Sequence, residues 1–451
     1  MTSPQRSLAF AVLLASLFFC CSVQDAHAIP AFARKYGLRC SACHVAWPVL
    51  NDFGWRFKDN GYQLMNDRDA PIWQNPSYFP ITLRITPNWH RENTNKVAVD
   101  IGPPDPVTGI SPQGETSITQ HGFDHSGLDI LTGGTLEKNL SFLLVPSAIE
   151  TGEFHFESVW VRLDNLFKSP WLNVKFGKFE LDNFLSEKRI LNLSANGGSY
   201  QLYHFIPVGD SNMFGQIGDN QLGLEWLGHS FNDHTRFSAA VISSSDGSPD
   251  LVNANTYTGF FSASQAFDLG GLGLQRVGGY AMIGQAPTYS LTSQGVPVPG
   301  SSLGNESFHR EGVFGDFYIS RLDVAFYYQH GSDDAHFGTA TPANVPLPDG
   351  ARAPTWNGFF VEPHFTVNPQ LVLFHRSEWV RMSQQALPGT PSDLGDIDNY
   401  SFGFRWYPIM TSRAGFAFHS EYSWLRQRGM SPVTATDLTN NSVFFGFDFD
   451  F

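Results

Sequence analysis

The sequence predicts an all-β membrane protein, an outer-membrane antiparallel β-barrel of about 16 strands preceded by a small helical domain. Three observations predict it. From about Ile81 onward the apolar pattern has period two, with large aromatic residues concentrated on one face. Sixteen candidate strands can be counted, and bacterial barrels require an even number. Beyond residue 28 no run of about twenty apolar residues could cross a bilayer as a helix. Composition agrees: 40 Phe, 42 Gly, 14 Tyr and 11 Trp with only 16% charged residues suit a wall that alternates between lipid and water.

Residues 1–28 read as a secretory signal, with Arg6 as the positive start, an apolar run from Leu8 to Cys21 and Ala26-His27-Ala28 as a small-x-small cleavage site. About fourteen apolar residues are too few for a membrane-spanning helix. A lipoprotein site at Cys20 or Cys21 is disfavoured by the bulk of Phe18 and Phe19. With the signal removed, Cys40 and Cys43 are the only thiols of the exported chain, so one explanation must serve both.

Those cysteines lie in Cys40-Ser41-Ala42-Cys43-His44, the C-x-x-C-H pattern of c-type haem attachment. Two thiols add to the two vinyl groups of one haem, and the adjacent imidazole becomes the proximal iron ligand. A thioredoxin-like pair would need a βαβ surrounding, a disulfide would close a loop too small to stabilise much, and zinc would need further Cys or His nearby. Cys40, Cys43 and His44 are therefore the expected cofactor site, for one covalent haem c per chain. Pro30 to Gly37 predicts a short helix with proline in its first turn and glycine at its end. A second helix is expected from Pro48 to Gly61, with Leu50, Phe53, Gly54 and Phe57 on one face and Gly54 permitting close approach to a flat ring. Residues 29–80 thus read as a monohaem cytochrome domain.

Residues 81–451 read as the barrel. In the last strand Phe445, Phe447, Phe449 and Phe451 alternate with Phe444, Gly446, Asp448 and Asp450, and the same alternation runs through Phe402 to Tyr407 and Phe416 to Trp424. Strands are expected near 81–88, 127–136, 140–148, 154–164, 172–181, 220–230, 236–246, 255–268, 272–285, 306–321, 322–332, 355–368, 370–383, 397–409, 414–428 and 439–451. Short turns such as 137–139, 231–235 and 410–413 alternate with long loops at 89–126, 182–219, 286–305 and 384–396. Long loops belong outside the cell, which puts both barrel termini in the periplasm.

From Ala28 to Leu64 the chain resembles the outer-membrane monohaem cytochrome-porin fusions associated with extracellular iron oxidation. The shared residues are Pro30, Ala31, Phe32, Ala33 and Arg34, then Cys40, Cys43 and His44, then Phe53, Gly54, Phe57 and Lys58, then Gly61 and Tyr62. The resemblance implies haem c, a bacterial outer-membrane location and electron uptake from outside the cell. Its electron donor would be extracellular Fe(II) or another redox partner and its acceptor a periplasmic cytochrome or other carrier, which would make it an electron-transfer protein with Fe(II) oxidase activity if iron is the donor.

A haem alone cannot bridge an apolar band about 25 Å tall, so residues 29–80 are best placed as a plug in the lumen. With a formal net charge of -14 the chain is expected to meet lipid and cations and no nucleic acid. Asp333, Asp334, Asp393 and Asp396 are loop carboxylates towards which cations could be drawn, while Asp316, Asp323 and Glu421 should face the lumen as partners of Arg and Lys. For the sixth iron position the candidates are Met65, just behind the second helix, and His364 and His419, which alternation points inward. His90, His121 and His125 fall in the first long loop. Two alternative functions remain open: outward electron transfer to extracellular acceptors, and a diffusion porin whose haem domain is a plug or a redox sensor.

Overall fold

The computed structural model describes residues 30–46, 49–64, 80–148, 154–182, 217, 220–243, 256–292, 297–384, 395–410 and 414–451. The expected signal segment and Met65 lie outside these residues.

Three short helices come first: α1 (Pro30–Tyr36), α2 (Cys40–Cys43) and α3 (Asp52–Asp59). A small antiparallel ribbon of β1 (His44–Ala46) and β2 (Val49–Leu50) separates α2 from α3. Helix α1 ends as its sequence predicts. Gly37 takes φ +64°, and the Leu38 amide donates back to the Ala33 carbonyl at 3.2 Å, which closes the last turn. The second helix starts at Asp52 rather than at Pro48. Asn51 is its N-cap, its side-chain oxygen accepting from the Gly54 amide at 2.9 Å, and the chain before it is committed to the ribbon.

The barrel strands are β3 (Ile81–Asp100), β4 (Gln113–Glu137), β5 (Leu140–Ala148), β6 (Phe154–Leu163), β7 (Asn173–Glu180), β8 (Asn220–His229), β9 (Thr235–Ser243) and β10 (Tyr257–Asp268). They continue as β11 (Leu274–Leu291), β12 (Pro297–Ile319), β13 (Leu322–Asp333), β14 (Thr355–Asn368), β15 (Leu371–Gln384), β16 (Ile397–Met410), β17 (Gly415–Gln427) and β18 (Leu438–Asp450). Each pairs antiparallel with its sequence neighbours, and β18 pairs with β3, so sixteen described strands close into one barrel. Closure removes the sheet edge, as a lipid-exposed sheet requires. At the seam Leu83 and Phe451 exchange both backbone hydrogen bonds, 2.9 and 3.0 Å, so the two barrel ends meet at one rim.

The expected strands all form, and the expected faces hold. Phe447 is 40% exposed while its neighbour Asp448 is 3% exposed, the signature of an apolar outer face and a polar lumen face. Two expected long loops are largely strand instead. Residues 89–126 contribute most of β3 and β4 and leave only 101–112 as a connection, and 286–305 is mostly β11 and β12. Their polar residues pair in register, Arg91 with His121 and Glu92 with Gln120, because these hairpins carry the sheet past its apolar band. His90, His121 and His125 therefore lie on strands, not in a loop. The rim that carries both barrel ends has the tight connections. Asn139 and Ser320 turn there with φ +69° and +60°.

Inside, lumen-facing side chains form one apolar cluster that includes Trp55 of α3, Trp160, Phe179, Leu181, Ile217 and wall residues as far round as Val380 and Ile397. Phe260, Tyr280, Tyr327 and Phe360 stack in series across β10 to β14 at centroid separations of 6.3, 5.3 and 5.5 Å. Gly312 on β12 makes this possible, since a Cβ there would stand 2.7 Å from the Tyr280 hydroxyl.

Candidate functional site

Helix α2 is the Cys40–Cys43 turn itself, and His44 follows it as the first residue of β1, its side chain buried. Asn51 ties this turn to α3. Its backbone amide donates to the Cys43 carbonyl at 2.9 Å, and its side-chain amide donates to the carbonyls of Ala42 at 3.0 Å and Ser41 at 3.3 Å. One residue thus caps the following helix and satisfies the end of the motif turn.

Gly54 fixes how closely the two elements approach. A Cβ at this position would lie 2.1 Å from the Cys43 carbonyl oxygen and 3.0 Å from Leu50 Cδ2, so the close approach of the motif backbone requires glycine here. Cys43 is a free, partly buried thiol, and burial pushes it up to about 11. That is the reverse of the lowered value that activates a catalytic thiolate. Two cysteines on one helical turn, a buried histidine beside them and a helix held against the turn by a glycine contact are a donor set that fits covalent haem c.

Aromatic rings join α1 to α3. Phe32 stacks on Tyr62 at 4.8 Å and meets Phe57 edge-on at 5.5 Å, and Tyr36 meets Phe57 edge-on at 5.6 Å. Tyr62 in turn stacks on Trp160 of β6 at 6.1 Å, which carries the cluster onto the barrel wall. The chain turns at Gly61 and Tyr62, with φ +80° and +60°. A Cβ on Gly61 would come within 2.9 Å of the Asp164 carboxylate, so the segment meets the β6–β7 connection at a position only glycine fills without strain.

Buried charge holds α3 to the lumen face. Arg236 of β9 grips Asp59 with two hydrogen bonds, Nε to Oδ2 at 2.6 Å and Nη2 to Oδ1 at 2.8 Å, and also reaches Asp182 at 3.2 Å. Lys58 donates to Asp182 at 3.1 Å. Arg162 of β6 donates to the carbonyls of Lys58 at 2.9 Å and Asp59 at 3.2 Å, placing a cation on the C-terminal end of α3, and is paired with Asp164 at 2.6 Å. The guanidinium of Arg236 also lies 4.5 Å from the Trp55 ring centroid. At the other end of the segment the Ala31 amide donates to Thr82 Oγ1 at 3.2 Å and Arg34 to the Ile81 carbonyl at 2.6 Å. Burial alone would raise the Asp59 carboxyl, but Arg236, helped by Lys58 and His229, holds it at about 2. Asp233, in the turn before β9, has no such grip: burial foremost, and then Asp59, raise it to about 8.

Cys40, Cys43 and His44 thus lie together in one turn. His364 and His419 lie in the wall on β14 and β17, each beside carboxylates. His364 Nε2 is 2.5 Å from Glu362 Oε1 and Nδ1 is 3.4 Å from Asp323 Oδ2. His419 Nε2 is 3.7 Å from Asp448 Oδ1, and its ring meets Phe444 edge-on. Asp323, Glu421 and Asp316 are buried in the lumen as expected, Glu421 lying 3.7 Å from Arg376. Of the loop carboxylates, Asp333 ends β13 fully buried against Arg310 at 2.7 Å, which takes it out of reach of solvent cations. Asp334 caps α4 (Ala335–Thr339), Asp396 accepts from the Met382 amide at 3.0 Å, and Asp393 lies outside the described residues. Sequence reading missed Asp59, Arg162 and Arg236. Arg162 and Arg236 stand on inward-facing positions of their strands, and that pattern is the signal that marks them.

No family model matches the chain, and no curated protein sequence matches it. Among solved structures the barrel is similar to an anion-selective porin from Comamonas acidovorans, with TM-score 0.51 and 11% identity over 82% of this chain and 99% of that one. A loop L8 deletion mutant of OmpT, an outer-membrane protein of Vibrio cholerae, gives TM-score 0.48 and 13% identity over 82% and 99%. The outer-membrane channel DcaP of Acinetobacter baumannii gives 0.44 and 10% over 82% and 97%. The wall of this protein therefore has the fold of an outer-membrane porin.

Proposed function

We propose that this chain is an outer-membrane electron conduit: a porin-type barrel whose N-terminal segment plugs the lumen and carries one haem c. It takes electrons from an extracellular reductant, Fe(II), and passes them to a periplasmic carrier. The observation that carries this reading is the bidentate Arg236–Asp59 pair, which fastens the segment bearing Cys40, Cys43 and His44 to the inner wall. Cys40 and Cys43 would hold the group through thioethers and His44 through the iron, supplying one-electron chemistry when bound. The chain's own work is to hold that segment. Arg162 and Arg236 fix the C-terminal turn of α3, the Phe32–Phe57–Tyr62–Trp160 cluster excludes water from its apolar side, and Asn51 sets the motif turn against α3. Outward transfer to extracellular acceptors would use the same parts in reverse.

A second reading is a solute channel in which the segment is a plug or sensor, and the porin-type fold of the wall favours it. One experiment separates the two. The purified full-length protein is placed in liposomes containing an electron acceptor, and Fe(II) is added outside. The conduit reading expects reduction of the trapped acceptor without iron entry, lost in Cys40→Ala/Cys43→Ala. Passage of small solutes at porin rates, with no reduction of the acceptor, rejects it in favour of the channel.

A further inference from the structure

On the outer face of β12 and β13, at the long-connection end of the barrel, three metal-binding side chains converge. His309 and Glu311 are two residues apart on β12, so both point away from the lumen, and His330 of β13 is the direct cross-strand partner of Glu311. Their ligand atoms all lie within 4.8 Å of one another, and the two imidazole centroids are 6.1 Å apart. Flanking residues Phe308 and Arg310 are buried, which confirms the outward direction of the pair.

The level in the membrane follows from the neighbours. Below Glu311 the outward residues of β12 are Val313, Gly315, Phe317 and Ile319, and below His330 on β13 they are Tyr328, Phe326, Val324 and Leu322. These are apolar down to the opposite rim, with Tyr328 at the upper edge as an aromatic boundary residue. The three ligands therefore sit just outside the lipid band, where water and ions reach them. His309 and Glu311 are about half exposed, at 45% and 49% of their side chains.

The arrangement is also pre-oriented. His330 Nδ1 lies 3.1 Å from Asn357 Oδ1, the Asn357 residue being its register partner on β14, and the Tyr328 hydroxyl donates to the same oxygen at 2.7 Å. An N–H held by an amide oxygen fixes the ring and leaves Nε2 with its lone pair free to ligate.

We infer that His309, Glu311 and His330 form a binding site for a divalent first-row transition metal on the external face of the wall. Two imidazoles and a carboxylate select Zn(II), Cu(II), Ni(II) or Fe(II) over Mg(II) and Ca(II), which take oxygen ligands. Three protein ligands on a rigid two-strand register leave at least one coordination position open to the medium. The site does not depend on the haem-bearing segment or on the electron-transfer reading.

The test is equilibrium dialysis of the full-length protein in detergent against Zn(II), with bound metal counted by elemental analysis and thiols haem-linked or blocked. The native protein is expected to hold one equivalent that His309→Gln/His330→Gln loses, and Glu311→Gln should weaken it. Asn357→Ala should weaken it about tenfold and Asn357→Asp, which keeps the acceptor, should restore it. Folding of each variant is read from its heat-modifiable migration, and these positions face outward, clear of the lumen cluster. An unchanged equivalent in folded His309→Gln/His330→Gln overturns the proposal. So does loss of that equivalent in His336→Gln alone, because His336 belongs to a separate group with Glu306 and Asp334.

Discussion

Arg236 and Asp59 are joined by two parallel hydrogen bonds, 2.6 and 2.8 Å, although 177 residues separate them in sequence. Both side chains are buried, so removing the Asp59 charge costs Arg236 its bidentate partner and leaves it to Asp182 at 3.2 Å in a low-dielectric site. Asp59→Asn should loosen the N-terminal segment by about 1.5–3 kcal/mol, because Arg236 keeps Asp182, while leaving the strand ladders of the barrel intact. Protease should then cut the segment at concentrations that spare the native protein, and the barrel should still migrate as a folded band. Equal protease resistance in the variant would show that the pair does not hold the segment.

The same pair sets an acid limit. Asp59 is held at about 2 against an ordinary value of 3.8, so its contribution is fully present above about pH 4 and is lost as pH falls towards 2. Protease sensitivity of the segment should rise across that interval, and Asp59→Asn should abolish the rise.

Asp233 runs the opposite way. Its carboxyl is raised to about 8 by burial and by Asp59, and its nearest approach to Arg236, 3.7 Å, is too long for a hydrogen bond. A group raised in the folded state favours docking most below its ordinary value of 3.8 and progressively less as pH climbs to about 8. Asp233→Asn should therefore hold the segment at least as firmly as the native residue at pH 8. Weaker docking of that variant at pH 8 would mean that the carboxylate is a partner of Arg236 after all.

How much of this was legible in the sequence follows from the range of each interaction. The sixteen strands were readable because alternation is local: Phe445 and Asp448 declare their faces through their immediate neighbours. The hairpin extensions were not, since Asn88 to Lys96 is as polar as a loop and only its pairing with β4 makes it a strand. The C-x-x-C-H sequence from Cys40 to His44 is contiguous, so it can be read without any knowledge of the fold. The docking of that motif rests on Asp59, Arg162 and Arg236, residues of ordinary type brought together by closure of the barrel, and no spacing rule reaches across such separations. Asp333 was misread for the same reason, because its partner Arg310 faces it from the next strand.

Gly54 gives a prediction confined to the motif. Its would-be Cβ is 2.1 Å from the Cys43 carbonyl, and backbone cannot yield as a flexible side chain can. Gly54→Ala should push α3 off the motif turn at a cost of about 1–3 kcal/mol. Covalent haem per barrel, measured by haem stain against total protein, should fall while heat-modifiable migration is unchanged. Full haem content would show that the turn and the helix need not touch.

His364 separates a wall residue from an iron ligand. Each of its ring nitrogens faces a carboxylate, Glu362 at 2.5 Å and Asp323 at 3.4 Å, and Glu362 is held in turn by Arg376 at 2.6 Å. With both nitrogens facing carboxylates, the imidazole takes part in the network that ties β13, β14 and β15 together. His364→Ala should leave the haem spectrum and potential unchanged. It should lower barrel stability by about 1–3 kcal/mol, because Asp323 and Glu362 lose a buried partner. Thermal unfolding followed by migration would register that loss. A shifted haem spectrum with unchanged stability would instead assign His364 to the iron and require the Glu362–Arg376 pair to stand without it.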